Sequence, residues 1–540
     1  MRPQKCYNRS MKNIEKSKAT QLNKEESFIE ELQNKYIKLQ QENEELAAKV
    51  AWYEEQIRKG INQKYGSSSE KTPGEQLSIF NEAEKNQRPD QKEPEIEEIT
   101  YKRKKSRGLN KNKWDDLPVE VIEYDLPESE KSCPNCSNSL HIMNKEIRKE
   151  LKVIPAKVTV VHHEQNIYAC RHCEKNEVTT PIIKARMPKP IIPGSFVSPS
   201  LLAYITNRKY NEAIPLYRQE QQFVNFGIDI SRQNLSNWII KGSKWLDVIY
   251  DSLHSRMLLE KFLHADETTL QVLDEKGKSP GSKSYMWLYA TGKYALPIFL
   301  YDYQPSRSSR HPKNFLKNFK GYLQTDGYPG YNDIADVTIM GCFAHARRGF
   351  TDALKALPKD AQISKTIAEE GRSYCNELFH IEKNLSGLPP EERYKERLEH
   401  SKPVLEAFLS WLNEYKDKVL PKSNLGKAIK YCLNQWHRLE TFLKDGEIEL
   451  SNNRAERAIK PFVIGRKNWL FSKSPHGATA SAIIYSIVET AKANGLNPYY
   501  YLEYLFERLP NIDIKDEEQV AELLPWSESL PVHIKVSNKS

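Results

Sequence analysis

The sequence predicts a multidomain α+β protein: an N-terminal coiled coil, a zinc ribbon, a helix-turn-helix, then an α/β core with a mixed sheet and a helical insertion. Three observations predict it. A heptad repeat runs through residues 29–57, two C-x-x-C pairs sit among strand-like segments, and after residue 260 three strands, a short helical piece and further strands alternate with helices. A chain of 540 residues exceeds one hydrophobic core, because domains usually run ~100–200 residues. With 39% hydrophobic and 28% charged residues, and a mean hydropathy of -0.71, the chain is polar. No stretch approaches the roughly 18 consecutive apolar residues of a membrane helix, and residues 1–30 carry no apolar signal core. Integral membrane and exported proteins are therefore excluded as expectations, and a reducing cytoplasm is the expected setting.

After a polar tail (1–22), Ile29, Tyr36, Asn43, Val50 and Ile57 share one heptad position, and Leu32, Leu39, Leu46 and Tyr53 share the other. This 3–4 alternation predicts a coiled coil over 23–60 and hence self-association into a homodimer or higher, with Asn43 setting the register. Gly60 ends the helix, and 61–115 reads as a flexible linker rich in Lys, Glu, Gln, Ser and Pro. Lys and Arg (81) exceed Asp and Glu (72) by 9, but residues 101–113 alone hold seven basic residues and no acid. Such a run is either a solvated linker or a contact for a phosphate backbone.

Within 116–190, Cys133-Pro-Asn-Cys136 and Cys170-Arg-His-Cys173 offer four thiolates on short strands. Each C-x-x-C turn presents two sulfurs to one metal, and four protein ligands leave no open position, so the zinc is expected to be structural. Of the other four cysteines, Cys342, Cys375 and Cys432 lack pair spacing and read as buried thiols. Residues 191–254 turn helical, with Gly227 breaking one helix and Ser231 able to cap the next. That helix carries Arg232, Gln233, Asn234 and Asn237, side chains able to reach base edges, in a pattern like a helix-turn-helix.

The segments 255–350 and 446–495 form the expected core, with the order of a ribonuclease H-like (RNase H-like) α/β domain. A helical insertion spans 351–445 and a helical segment and tail span 496–540. Asp266 lies in the first core strand and Asp326 ends a later one. Side chains alternate along a strand, so His264 shares a face with Asp266 while Glu267 faces the other way. Carboxylates at strand ends suit Mg2+ or Mn2+ as catalytic cofactor, and two such ions would serve an attacking and a leaving oxygen. The third carboxylate is Glu456, one turn into a Ser/Asn-capped helix expected to end near Pro461. Around it, His345, Arg347, Arg348, Arg454, Arg457, Arg466 and Lys467 are expected to form one phosphate-binding cleft, with Arg466, Lys467 and Asn468 in a basic turn before Trp469.

The motifs HADETTLQVL, YDYQPSR, LQTDGYPGYN, GCFAHARRGF, SNNRAERAIKPFVIGRKNWLFS and IIYSIVETAKANGLNP closely resemble the insertion sequence 66 family of DDE transposases, the TnpC type. The resemblance spans roughly residues 25–510 and includes the leucine zipper and the CPNC…CRHC ribbon. Phe343, where Trp is commoner, and Thr479, where an acid is frequent, depart from the pattern without touching the acids. The resemblance implies a DDE triad of Asp266, Asp326 and Glu456, DNA ends and target DNA as partners, helper proteins from the same element, and strand cleavage and strand transfer during DNA transposition. The alternatives are a non-catalytic dimeric DNA-binding regulator and a structure-specific nuclease that cuts without joining.

Overall fold

The computed structural model describes residues 157–169, 182–279, 281–357 and 366–536, with scattered positions between 33 and 50. Contacts divide the chain into residues 67–163 and the remainder. Of the first unit the described residues, 157–163, carry no regular secondary structure and are exposed. Most of the heptad, the basic run 101–113 and Cys133, Cys136, Cys170 and Cys173 lie outside the described residues. The described heptad residues Tyr36, Leu39, Leu46 and Val50 are helical and expose more than half of their surface.

In the larger unit, β1 (Ile167–Ala169) pairs antiparallel with β2 (Ile182–Lys184). Helices α1 (Pro199–Tyr210), α2 (Leu216–Asn225), α3 (Arg232–Ser243) and α4 (Asp247–Met257) follow. Gly227, at φ +76°, makes the turn between α2 and α3, a conformation that costs an L side chain strain. The Ser231 hydroxyl then accepts the Asn234 N–H at 3.3 Å, capping α3. Leu235, Trp238 and Ile239 face inward, and the helices share one hydrophobic core with the sheet below.

That sheet comprises β3 (Phe262–Gln271), β4 (Lys283–Thr291), β5 (Phe299–Gln304), β6 (Gly321–Gln324) and β7 (Val337–Met340), in the order β5-β4-β3-β6-β7. The first three strands pair antiparallel, while β6 and β7 extend the sheet in parallel with β3. Helix α5 (Arg310–Phe315) makes the crossover from β5 to β6. Asp266, Leu288 and Tyr301 align across β3, β4 and β5, and the next row holds Glu267, Trp287 and Asp302 on the opposite face.

After β7 come α6 (Phe343–Lys355), then α7 (Ile367–Asn384), α8 (Pro390–Glu396), α9 (Lys402–Tyr415), α10 (Asn424–Asn434) and α11 (Trp436–Leu439). These helices bury Phe350, Phe408 and Trp411 in a second cluster. Two buried arginines pin this region. Arg397 pairs with Glu382 and donates to the carbonyls of Phe442, Asp445 and Ile448, while Arg393 donates to those of Leu385, Leu388 and Gly446.

The chain returns to the sheet through α12 (Asn453–Trp469), α13 (Pro475–Ala493), α14 (Pro498–Arg508) and α15 (Glu517–Ala521). Two expectations need correction. Helix α12 does not end near Pro461 but continues through it, and Arg466, Lys467 and Asn468 form its last turn instead of a basic loop. A proline removes one helical hydrogen bond, but burial of Ile459 and Phe462 on either side against the sheet outweighs that loss. The helix stops at Leu470, whose φ of +67° is incompatible with continuing it.

Candidate active site

Three acids meet where α12 begins over the sheet. Asp266 lies midway along β3. In the parallel β3–β6 register His264 stands opposite Gln324, so two residues further Asp326 emerges beside Asp266 on the same face. Glu456 projects from the first turn of α12. The start of α12 is bolted in place by the fully buried Asn452. Its side chain donates to the Ala265 carbonyl at 2.8 Å and meets His264 Nδ1 at 3.1 Å, while its N–H donates to Cys342 Sγ at 3.1 Å. Asn452 occupies the N-cap position without capping the helix, because its side chain is engaged with β3. Nearby, His264 Nε2 lies 2.9 Å from Glu449, and Gln324 donates to the carbonyls of Gly341 and Glu449. Glu456 is thereby held over the sheet by contacts of the chain just before it, at Glu449 and Asn452.

The electrostatics of this place are unfavourable to anions. Burial and the charges of Glu267, Asp326 and Glu456 push the Asp266 carboxyl up to about 8, against the opposing Glu267 N–H at 2.9 Å. Asp326 takes the Tyr328 N–H at 2.8 Å, and its carbonyl takes the Tyr431 hydroxyl at 2.9 Å. Glu456 is met by Arg348 at 3.0 Å and lies 3.7 Å from His345 Nδ1. Burial and Arg348 hold the His345 ring below its ordinary value, against the pull of Glu456 and Asp326. Among the described residues, neither Glu456 Oε1 nor His345 Nδ1 has a hydrogen-bond partner.

Glu267 acts on Asp266 through its charge, but its side chain is engaged elsewhere. On the other face it accepts the Tyr331 hydroxyl at 2.6 Å and pairs with Arg307, whose guanidinium lies 3.6 Å from the centre of the Tyr328 ring. This Glu267–Tyr331–Arg307 cluster and the Asn452 bolt escaped sequence reading. Their partners lie far apart in the chain, and the only available signal was the alternation of β3.

The basic residues expected in one cleft are not gathered there. His345 and Arg348 reach Glu456, whereas Arg347, on the exposed side of α6, lies over the Phe379 ring. Arg454 donates to the Thr291 carbonyl at 2.6 Å and, with Arg457, lines a separate pocket containing Glu449, Glu489 and Lys492. Arg466 bonds Thr268 and Thr269 further along β3, and Lys467 is exposed. A helix carries successive residues around its axis, so clustering in sequence did not become clustering in space. On α3, Arg232, Gln233, Asn234 and Asn237 all face solvent, opposite the buried Leu235, Trp238 and Ile239.

Comparison with known proteins agrees across most of the chain. Residues 194–480 match the family model described as Transposase IS66 family, and 486–526 match the IS66 C-terminal element. Residues 130–174 match the zinc-finger binding domain of transposase IS66, which supports structural zinc, and 52–122 match the model described as Transposase C of IS166 homeodomain. The chain is 32% identical over 430 residues to the uncharacterized protein y4jD of Sinorhizobium fredii, covering 76% of this chain and 81% of that one. It is 30% identical over 442 residues to y4hP of the same organism, covering 78% and 77%. No described helix is long and apolar enough to cross a membrane. With more than half of its length matched by a single family model, and with relatives aligned over most of theirs, the chain belongs to the IS66 family of transposases.

Proposed function

We propose that this transposase cuts DNA at the ends of its insertion element and joins them to target DNA, with Asp266, Asp326 and Glu456 as the catalytic acids. The observation that carries this reading is their convergence from β3, the end of β6 and α12, with Asp266 driven up to about 8 partly by the other two. The sheet order and the crossover helix α5 support an RNase H-like core. The three acids fit a hard divalent cation: their oxygens are the donors magnesium prefers, and their mutual repulsion is what a cation relieves. Magnesium bound there would supply Lewis-acid charge for both the attacking and the leaving oxygen of an in-line displacement.

The protein's own groups orient the rest. Asn452 and His264 fix the first turn of α12, so Glu456 keeps its place over the sheet. Arg348 offers a guanidinium beside Glu456 that can take a phosphate oxygen. In the first step water attacks a phosphodiester and the bond to the 3′ oxygen breaks, leaving a 3′ hydroxyl. In the second that hydroxyl attacks a target phosphodiester, exchanging one P–O bond for another without a covalent protein intermediate. Positioning and charge stabilisation account for the rate.

The other parts of the chain serve end recognition in this reading. The exposed polar face of α3 reads bases, the cysteine pairs at 133/136 and 170/173 hold zinc, and the heptad pairs two chains, with the cytoplasm as the setting. The exposed Tyr36, Leu39, Leu46 and Val50 are the apolar stripe a second helix would cover. The test is a magnesium-dependent assay on DNA carrying the gene's flanking ends, comparing the intact protein with Glu456→Gln. Joined products lost in the variant support the reading. Binding without cleavage by either protein indicates a regulator, and nicking without joining indicates a nuclease.

A further inference from the structure

We propose that Cys342, His345 and Glu456 form a second metal site, for a thiophilic divalent cation such as zinc, adjoining the carboxylate set. The residues come from two facing helix starts. Cys342 stands at the N-cap of α6, His345 lies one turn on, and Glu456 lies in the first turn of α12. One donor atom from each lies within 4.8 Å of the others. Glu456 Oε1 and His345 Nδ1 are buried, 3.7 Å apart, and among the described residues lack hydrogen-bond partners. Two unsatisfied polar atoms aimed at one another beside a thiol are costly unless a further ligand joins them. Sulfur, nitrogen and oxygen together are a donor set for zinc, whereas magnesium prefers oxygen alone.

Binding breaks the Cys342 S–H bond, forms a metal–sulfur bond and releases that proton to solvent. The His345 ring must present its Nδ1 lone pair and carry its proton on Nε2. Nε2 now meets Arg348 Nη1 at 3.2 Å, so the half-exposed Arg348 side chain swings away. The Asn452 N–H already donates to Sγ at 3.1 Å and remains as a donor to the thiolate. Given the function proposed above, occupancy would draw Glu456 away from Asp266 and Asp326, making the site an off-switch set by free zinc.

The test counts metal and involves no DNA, so it is independent of the joining reaction. Full-length protein is equilibrated in a zinc buffer that keeps the cysteine ribbon filled, and zinc per chain is measured by mass spectrometry. The expected result is one more equivalent in the wild type than in Cys342→Ala, with Cys375→Ala, another buried thiol, matching the wild type. His345→Gln, at a less buried position, should lose the same equivalent and decides the matter where Cys342→Ala folds poorly. Equal zinc in the wild type and His345→Gln would overturn the site.

Discussion

Two regions of this protein bury charge in opposite ways. In the helical insertion, Arg397 is wholly buried, yet it meets Glu382 and three carbonyls. In the sheet, Asp266 meets Glu267, Asp326 and Glu456, and among the described residues its side chain accepts only the Glu267 N–H. The insertion arginine is complete within the chain, so it serves the fold. The charges of Glu267, Asp326 and Glu456 repel the Asp266 carboxylate, a repulsion that a bound cation would relieve under the proposed function. A buried charge with every partner present is a structural pin, and one with like-charged neighbours is a candidate functional site.

The largest effect expected from breaking this contrast is on chemistry. Asp266→Asn or Glu456→Gln should lower strand cleavage by about 10³-fold or more, read as initial rates on labelled element ends. The same Asp266→Asn change should raise the unfolding free energy of metal-free protein, since it removes a carboxyl that its neighbours repel. Next in size, Arg397→Met should destabilise by about 3–5 kcal/mol in denaturant unfolding, because Glu382 and three carbonyls lose their donor together. An Arg397→Met protein as stable as the wild type would remove the distinction between the two regions. Asn452→Ala should cost about 1–3 kcal/mol by orphaning His264 and the Ala265 carbonyl, and should slow cleavage by freeing Glu456.

The same repulsion is also read as a pH dependence. The folded-state value of Asp266, about 8, stands above its ordinary 3.8, so the folded protein holds the extra proton between them. The contribution is fully present below the ordinary value and is lost as pH rises through the folded one, so metal-free stability should fall from about pH 4 to about pH 8. Thermal melts across that window should show the slope, and Asp266→Asn should flatten it.

What the sequence could and could not disclose follows from the range of the interactions. The β3 alternation was legible because faces are set by neighbours two residues apart, and it separated Asp266 from Glu267 correctly. Ser231 and Gly227 likewise announced the turn before α3 through purely local chemistry. The extent of α12 was not legible, since Pro461 is a local stop signal overridden by burial against a distant sheet. The Asn452 contact with His264 spans 188 residues, and no local pattern reports it. The dispersal of these arginines had the same origin: Arg454 and Arg457 line one pocket, while Arg466 is held by β3.

The most direct test of the claim that the three acids await a cation is the unfolding midpoint at pH 8 of protein carrying zinc in its cysteine ribbon alone, titrated with magnesium. The wild type should gain stability with magnesium, and both Asp266→Asn and Glu456→Gln should gain much less. A wild type indifferent to magnesium, or variants that gain as much as it does, would contradict the account.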